Sequence, residues 1–278
     1  YAGSFYAFAI WIGMGVAALW CLLTRLFAKK TPEQIEEAVP AVADDCRKSR
    51  LAAFIAVAVG VLVPLQMVSQ TWDDHDRSGR YAARDYAVNY LESLEPNAII
   101  FCNGDNDTFP LWYAQEVEGV RPDVKIINLS YLSSDWYANQ QRLQTYTAPP
   151  VKFTAQPKDY AYHQRDVSYI TPLTNMTDTV TLLDALKKMY ADNTPDPTYR
   201  VPVVSYRNTV IPVDKAKAAA RGLVPAQGAG ALLDEIPVGL GNMSLGQMLM
   251  LDIIATNAAN GWERPIYWAM TVGEENYR

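Results

Sequence analysis

The chain has 278 residues and a formal net charge of −6. That length exceeds one average domain. The acidic balance after residue 71 argues against nucleic acid as a partner, because phosphate backbones demand basic patches. The three cysteines, Cys21, Cys46 and Cys102, offer no paired spacing, so no disulfide framework is expected.

Residues 1–24 and 51–72 carry no charged side chain. Each run is long enough to cross a hydrocarbon core of about 30 Å at ~1.5 Å per residue. The alternatives are buried core helices or a signal peptide. A signal peptide needs a basic start and a small-residue cleavage site, which the first run lacks. The expectation is a transmembrane hairpin over residues 1–70, with spans at about 4–24 and 51–70. Between them, Arg25, Lys29, Lys30, Arg47, Lys48 and Arg50 crowd the two ends of loop 25–50. Positive charge stays in the cytoplasm, so the loop is read as cytoplasmic and residues 71–278 as an extracytoplasmic domain. Pro64 is a tolerated kink in a membrane helix.

The loop's "TPEQIEEAVP" has Thr31 to cap, Pro32 for the first turn and acids near the helix start, so a short helix is expected. After the second span, "RYAARDYAVNYLES" repeats its aromatic and apolar residues at helical spacing. Residues 98–102 ("AIIFC") are a continuous apolar run, the mark of a strand covered on both faces. Residues 108–118 read as a helix ended by Gly119, 124–129 as a second strand, and 135–144 as a helix capped by Ser133 or Ser134. Alternating helices and strands predict an α/β domain with a mostly parallel, Rossmann-like sheet flanked by helices.

Further along, 147–172 is rich in proline and tyrosine and reads as an extended excursion. Residues 178–190 predict a helix, and 200–213 a hairpin turning at Arg207 and Asn208. A short helix ends at Gly222, an apolar helix spans 244–258, and 265–270 is a strand able to join the parallel sheet.

The candidate chemistry centres on "NGDNDTFPLWY". In an open α/β sheet, ligands bind beyond the carboxyl ends of strands. Asp105, Asn106 and Asp107 fall there, followed by Trp112 and Tyr113; Asp135, Trp136 and Tyr137 hold the equivalent place after the second strand. Carboxylates and amides accept bonds from sugar hydroxyls, and aromatic faces stack on the ring. The competing reading is a helix start, with Asp107 or Thr108 as N-cap and Pro110 in the first turns. Oxygen ligands at Asp105 and Asp107 also suit a divalent cation, but no cofactor is expected. Asp73, Asp74, His75 and Asp76 read as a solvated hinge in preference to a metal site; the other histidine, His163, is far along the chain, and a multi-histidine zinc site is excluded. The glycine-rich "GLGNMS" reads as a loop and N-cap.

Three blocks, "DDHDRSGRYAARDYAVNYLES", "NGDNDTFPLWYAQEVEGVRPDVKIINLSYLSSDWY" and "LMLDIIATNAANGWERPIYWA", resemble the downstream part of the domain-of-unknown-function 2723 family. These are bacterial polytopic membrane proteins, similar to protein O-mannosyltransferases and placed in the glycosyltransferase C superfamily. The resemblance implies a multi-pass protein of the bacterial inner membrane with residues 71–278 in the periplasm. It also implies protein O-glycosylation from a lipid-linked sugar. Nothing in the chain matches the superfamily's catalytic loop, so no catalytic residue is carried over. The implied partners are the lipid bilayer, an upstream transmembrane part of the same protein, acceptor protein and lipid-linked sugar. The chain is thus expected to be an accessory, acceptor- or sugar-binding portion of a glycosyltransferase-like enzyme, truncated at its C-terminal end. The alternative is a non-enzymatic membrane-anchored interaction domain using the tyrosines of 160–169. A metal-dependent hydrolase on the Asp105–Asp107 cluster ranks last.

Overall fold

The structure is a computed structural model that describes residues 2–27, 49–170, 179–191, 203–204, 206–222 and 230–274. The chain divides into two units, Tyr1–Arg80 and Tyr81–Arg278. The predicted loop helix in 31–40 lies outside the described residues.

The first unit consists of α1 (Ala2–Phe27) and α2 (Arg50–His75). Both are long and apolar enough to cross a membrane, with an 18-residue stretch of mean hydropathy 2.0 within Tyr6–Phe27 and one of 2.4 within Arg50–His75. Ser49 caps α2, its side chain accepting from the Ala52 amide. Ala52, Ala56 and Gly60 lie four residues apart, on one face of α2. Ala52 and Ala56 are wholly buried, and a Cβ on Gly60 would stand 2.7 Å from a Val16 methyl. Small residues at this spacing let apolar helices approach closely. Outward side chains such as Phe8, Trp11, Phe54 and Leu62 are exposed, which suits lipid and not water. The helix α2 continues through Asp73, Asp74 and His75, past the expected end at residue 70.

The second unit begins with α3 (Ala82–Glu92), then β1 (Ile99–Cys102), α4 (Asp105–Glu116) and β2 (Lys125–Asn128). Two short helices follow, α5 (Leu129–Leu132) and α6 (Asp135–Gln141). Later come β3 (Val167–Ile170), β4 (Val180–Thr181), α7 (Leu182–Ala191), β5 (Val203–Val204), β6 (Asn208–Pro212) and α8 (Lys215–Ala220). The unit ends with β7 (Glu235–Gly239), β8 (Met243–Ser244), α9 (Leu245–Ala259) and β9 (Ile266–Trp268).

The central sheet has the order β2-β1-β9, and both pairings are parallel. All four residues of β1 are buried, as its uniform apolar run requires. Alternation then sends them into two cores. Ile99 and Phe101 pack in a large core with Ile127, Leu132, Met248, Leu249 and Ile253. Ile100 and Cys102 pack with Ala87, Leu91, Leu111 and Ala114 of α3 and α4. The sheet is therefore covered by helices on both faces. The helix α9 is buried through most of its circumference and starts with a capping box between Ser244 and Gln247.

Among the described residues the unit also has two smaller sheets, β5-β3-β8 and β4-β6-β7. Among the described residues, the expected hairpin about Arg207 and Asn208 is not seen. Val203–Val204 pairs with β3, whereas Asn208–Pro212 pairs with β4 and β7. Two β-rich runs beside a turn give no information on partners when longer-range edges compete for them. The excursion is fixed by Asp252, which is fully buried and accepts from the Thr154 amide and hydroxyl, the Ala155 amide and the Thr256 hydroxyl.

Candidate functional site

The carboxyl ends of β1, β2 and β9 are joined by a network of polar side chains. The residue Gly104 leaves β1 at φ 83°, a region that a side chain makes strained, and acts as N-cap of α4 without a side-chain bond. The helix thus begins at Asp105, earlier than the expected start at residue 108, and neither Asp107 nor Thr108 is its cap. Both lie inside the first turn and are buried. Asp107 is 1% exposed. Its carboxylate accepts from the Tyr86 hydroxyl at 2.5 Å, the Thr271 amide at 3.3 Å, and the Thr271 hydroxyl. The Thr108 hydroxyl donates to the Gly104 carbonyl at 2.7 Å and accepts from the Asn128 side-chain amide at 2.8 Å.

Asn103 spans the three strand ends. Its amide donates to the Thr271 hydroxyl at 3.1 Å, and its side-chain oxygen accepts from the Ser130 hydroxyl at 2.7 Å. Asn128 caps α5 through the Tyr131 amide. The Tyr90 hydroxyl accepts from the Met270 amide at 3.0 Å. Burial, reinforced by the hydrogen bond to Asp107, raises the Tyr86 phenol far above its ordinary pKa. Burial likewise pushes the Cys102 thiol up to about 11.

Above this network lies a ledge of aromatic rings. Trp112 and Tyr131 stack with centroids 6.0 Å apart and planes 14° from parallel. Tyr131 also meets Trp136 at 6.5 Å and Tyr137 at 5.8 Å. Trp136 is 59% exposed, and Tyr137 is buried beneath it.

The seven expected ligand residues therefore separate. Asp105 and Asn106 are exposed at the α4 start, and Trp136 is exposed on the ledge. Trp112 is half-buried within the stack, and Tyr113 is exposed one residue on. The Asp135 carboxylate accepts from the Trp136 amide. Asp107 faces protein, with its oxygens occupied by Tyr86 and Thr271. Among the described residues no three His, Cys, Asp or Glu side chains gather to hold a metal. Ser130, Thr271 and Tyr86 belong to the site but were not among the expected residues, and Asn103, the first residue of the candidate stretch, was not singled out within it. Asn103 and Ser130 could be found by position at a strand end, which Thr271 shows only once β9 joins the sheet, whereas Tyr86 lies within α3 and had no such signal.

The model of TMEM260-associated domain 2 matches residues 83–278. The chain belongs to the TMEM260-associated domain 2 family. A protein O-mannosyl-transferase tmem260 of Dictyostelium discoideum is similar, with 22% identity over 129 residues. That match covers 46% of this chain and 15% of the relative, so the chain spans a small part of that protein's length. No solved structure matches the chain. The matched region takes in the whole central sheet and its strand-end network.

Proposed function

We infer that the chain is part of a membrane glycosyltransferase-like protein acting in protein O-glycosylation, and that its strand-end surface recognises sugar or acceptor. The observation that carries this reading is the exposed Trp136 ring at the start of α6, packed on Tyr131 and Tyr137, with Asp105 and Asn106 exposed at the start of α4 beyond the neighbouring strand. An apolar face with carbonyl and carboxylate oxygens nearby matches the stacked face and hydroxyl edge of a sugar ring. Family membership and the relative's name supply the reaction class. A lipid-linked donor, an extracytoplasmic position for residues 71–278 and a bacterial inner membrane are the finer parts of the proposal. The two apolar helices and the basic loop between them support the membrane placement, and the resemblance of the sequence blocks quoted above supports the donor and the bacterial setting.

In this reading the fragment recognises and does not catalyse. Among the described residues, the buried carboxylates Asp107, Asp159 and Asp252 are held by hydrogen bonds that serve the fold. The test uses the full-length parent with Trp136→Ala, and separately Asp105→Asn with Asn106→Ala. Acceptor glycosylation is expected to fall about tenfold or more, with circular dichroism unchanged. Normal transfer by both folded variants removes the recognition role. A membrane-anchored interaction domain is the second reading, favoured by the exposed Tyr162 and Tyr169. It predicts stable partner capture that is insensitive to Trp136→Ala.

A further inference from the structure

A cavity of about 900 Å3 lies apart from the strand-end loops, lined by none of residues 103–108 or 130–136. One wall is α9, through Met250, Leu251 and Ile254. Two strands form the sides, and each contributes consecutive residues, 265–268 along β9 and 236–239 along β7. Successive strand residues point to opposite faces. Four in a row line a cavity only where it meets the strand edge-on. Among the described residues, β9 is the outer strand of the central sheet and β7 the outer strand of its own. The cavity therefore occupies a gap between two sheet edges.

The backbone in that gap is oriented for pairing. The Ile99 amide donates to the Pro265 carbonyl and the Ala269 amide to the Phe101 carbonyl. Ladder alternation then turns the Ile266 amide and carbonyl away from β1, toward the outer edge. In β7 the Leu240 amide donates to the Arg207 carbonyl, and the Val213 amide to the Asp234 carbonyl. The same alternation turns the Gly239 amide and the Pro237 and Gly239 carbonyls outward. Side chains between the edges supply little to meet these groups. Met243, Met250, Ile254 and Ile211 are apolar, the Asn242 oxygen already accepts from the Ile170 amide, and the Gln247 side-chain oxygen already accepts from the Ser244 amide.

Charge narrows the occupant further. Arg264 is buried and donates to the carbonyls of Asn97, Pro149 and Ala98. Among the described residues, the Glu95 carboxylate at the cavity margin has no ion pair or side-chain hydrogen bond. The charge left to be matched is negative. An aliphatic chain would fill the volume but offers nothing to the outward main-chain groups, which an added strand can meet.

We propose that this cavity binds an extended polypeptide segment, apolar at alternate positions and basic beside Glu95, that adds as a strand between β7 and β9. Its main chain meets the outward groups of Gly239 and Ile266, and its apolar side chains rest on α9. Pro237 removes one donor from the β7 edge, a device that restrains indiscriminate pairing. Residues 223–229 and the strand-end ledge play no part in this assignment, which stands whether or not the glycosyl-transfer reading does.

The experiment uses the whole chain in detergent micelles and the labelled peptide Lys-Val-Thr-Val-Thr-Val. Fluorescence polarisation is expected to show saturable binding, and amide hydrogen exchange at Gly239 and Ile266 is expected to slow about tenfold or more. Ile254→Trp, which fills the cavity, is expected to weaken binding about tenfold. Glu95→Lys, at an exposed position, is expected to weaken it about threefold and to favour Glu-Val-Thr-Val-Thr-Val instead. The proposal is overturned if the peptide does not bind, or if it binds without slowing those two amides. It is equally overturned if Glu95→Lys leaves the charge preference unchanged, or if dodecanoate binds in place of the peptide. Should Ile254→Trp fail to fold, the exchange data and Glu95→Lys decide.

Discussion

The Tyr86 hydroxyl donates to the buried carboxylate of Asp107 at 2.5 Å and so ties α3 to the first turn of α4. A carboxylate withdrawn from water is tolerated only when donors surround it. Asp107 has such donors in Tyr86 and Thr271, from elements at both ends of the domain sequence. Asp107→Ala leaves these donors unpaired, and a loss of about 2–4 kcal/mol is expected. Tyr86→Phe is expected to cost about 1–2 kcal/mol. Asp105→Asn, exposed in the same turn, is expected to change stability by under about 0.5 kcal/mol. Urea unfolding of the three variants checks the ranking, and equal effects at positions 105 and 107 would contradict the burial argument.

Gly246 tests packing against propensity. Alanine in place of a helical glycine normally gains roughly 0.5–1 kcal/mol. Here a Cβ would stand 2.4 Å from the Leu129 carbonyl oxygen and 2.9 Å from the Ser133 hydroxyl. The first is backbone and cannot rotate away. Gly246→Ala is therefore expected to destabilise by about 1–3 kcal/mol, read as a fall in melting temperature. A gain in stability would show that α9 does not approach α5 so closely.

Asp123 gives an acid-dependent contribution. Bidentate bonds from Arg121 are the chief reason its pKa falls to about 2, and the Asn97 amide adds to them. A depressed folded-state pKa contributes stability that is full above the ordinary carboxylate value. That contribution is lost as pH falls from about 4 toward 2. Allowing for partial exposure, it amounts to about 1–2 kcal/mol. Asp123→Asn is expected to be destabilised by that amount at pH 7 and to converge on the parent near pH 2. A difference independent of pH would refute the ion-pair origin.

Cys102 is buried, and its thiol is raised to about 11, chiefly by burial. At pH 8 it holds little thiolate and offers no access. In a Cys21→Ser, Cys46→Ser background, disulfide reagents are expected to modify it about a thousandfold more slowly than the denatured chain. Rapid modification of the native protein would mean that β1 is not covered as described.

The fold was legible where a single segment carries its own signal. The apolar runs at 1–24 and 51–72 became α1 and α2, and "IIFC" became a fully buried strand. Ser244 and Gln247 form the cap that their spacing suggests. The small sheets were not legible. Val180–Thr181 and Met243–Ser244 are two residues each, too short for any periodicity, and exist because a neighbour supplies the ladder. The candidate site divides the same way. Asp105, Asn106 and Trp136 could be chosen by position after a strand. Nothing local distinguishes Asp105 from Asp107, yet one faces solvent and the other the Tyr86 hydroxyl.

By itself, the sequence determined the two apolar helices, the parallel character of the sheet and the strand ends as the place to look. Each depends on hydrophobicity and spacing along one stretch of chain. Only the tertiary structure decided that Asp107 binds the fold together and that Thr271 completes its shell. It also decided that the edges of β7 and β9 face each other across a cavity. Those facts join residues 164 positions apart or strands from different sheets. Long-range juxtaposition is set by how whole elements pack, and no local pattern encodes it.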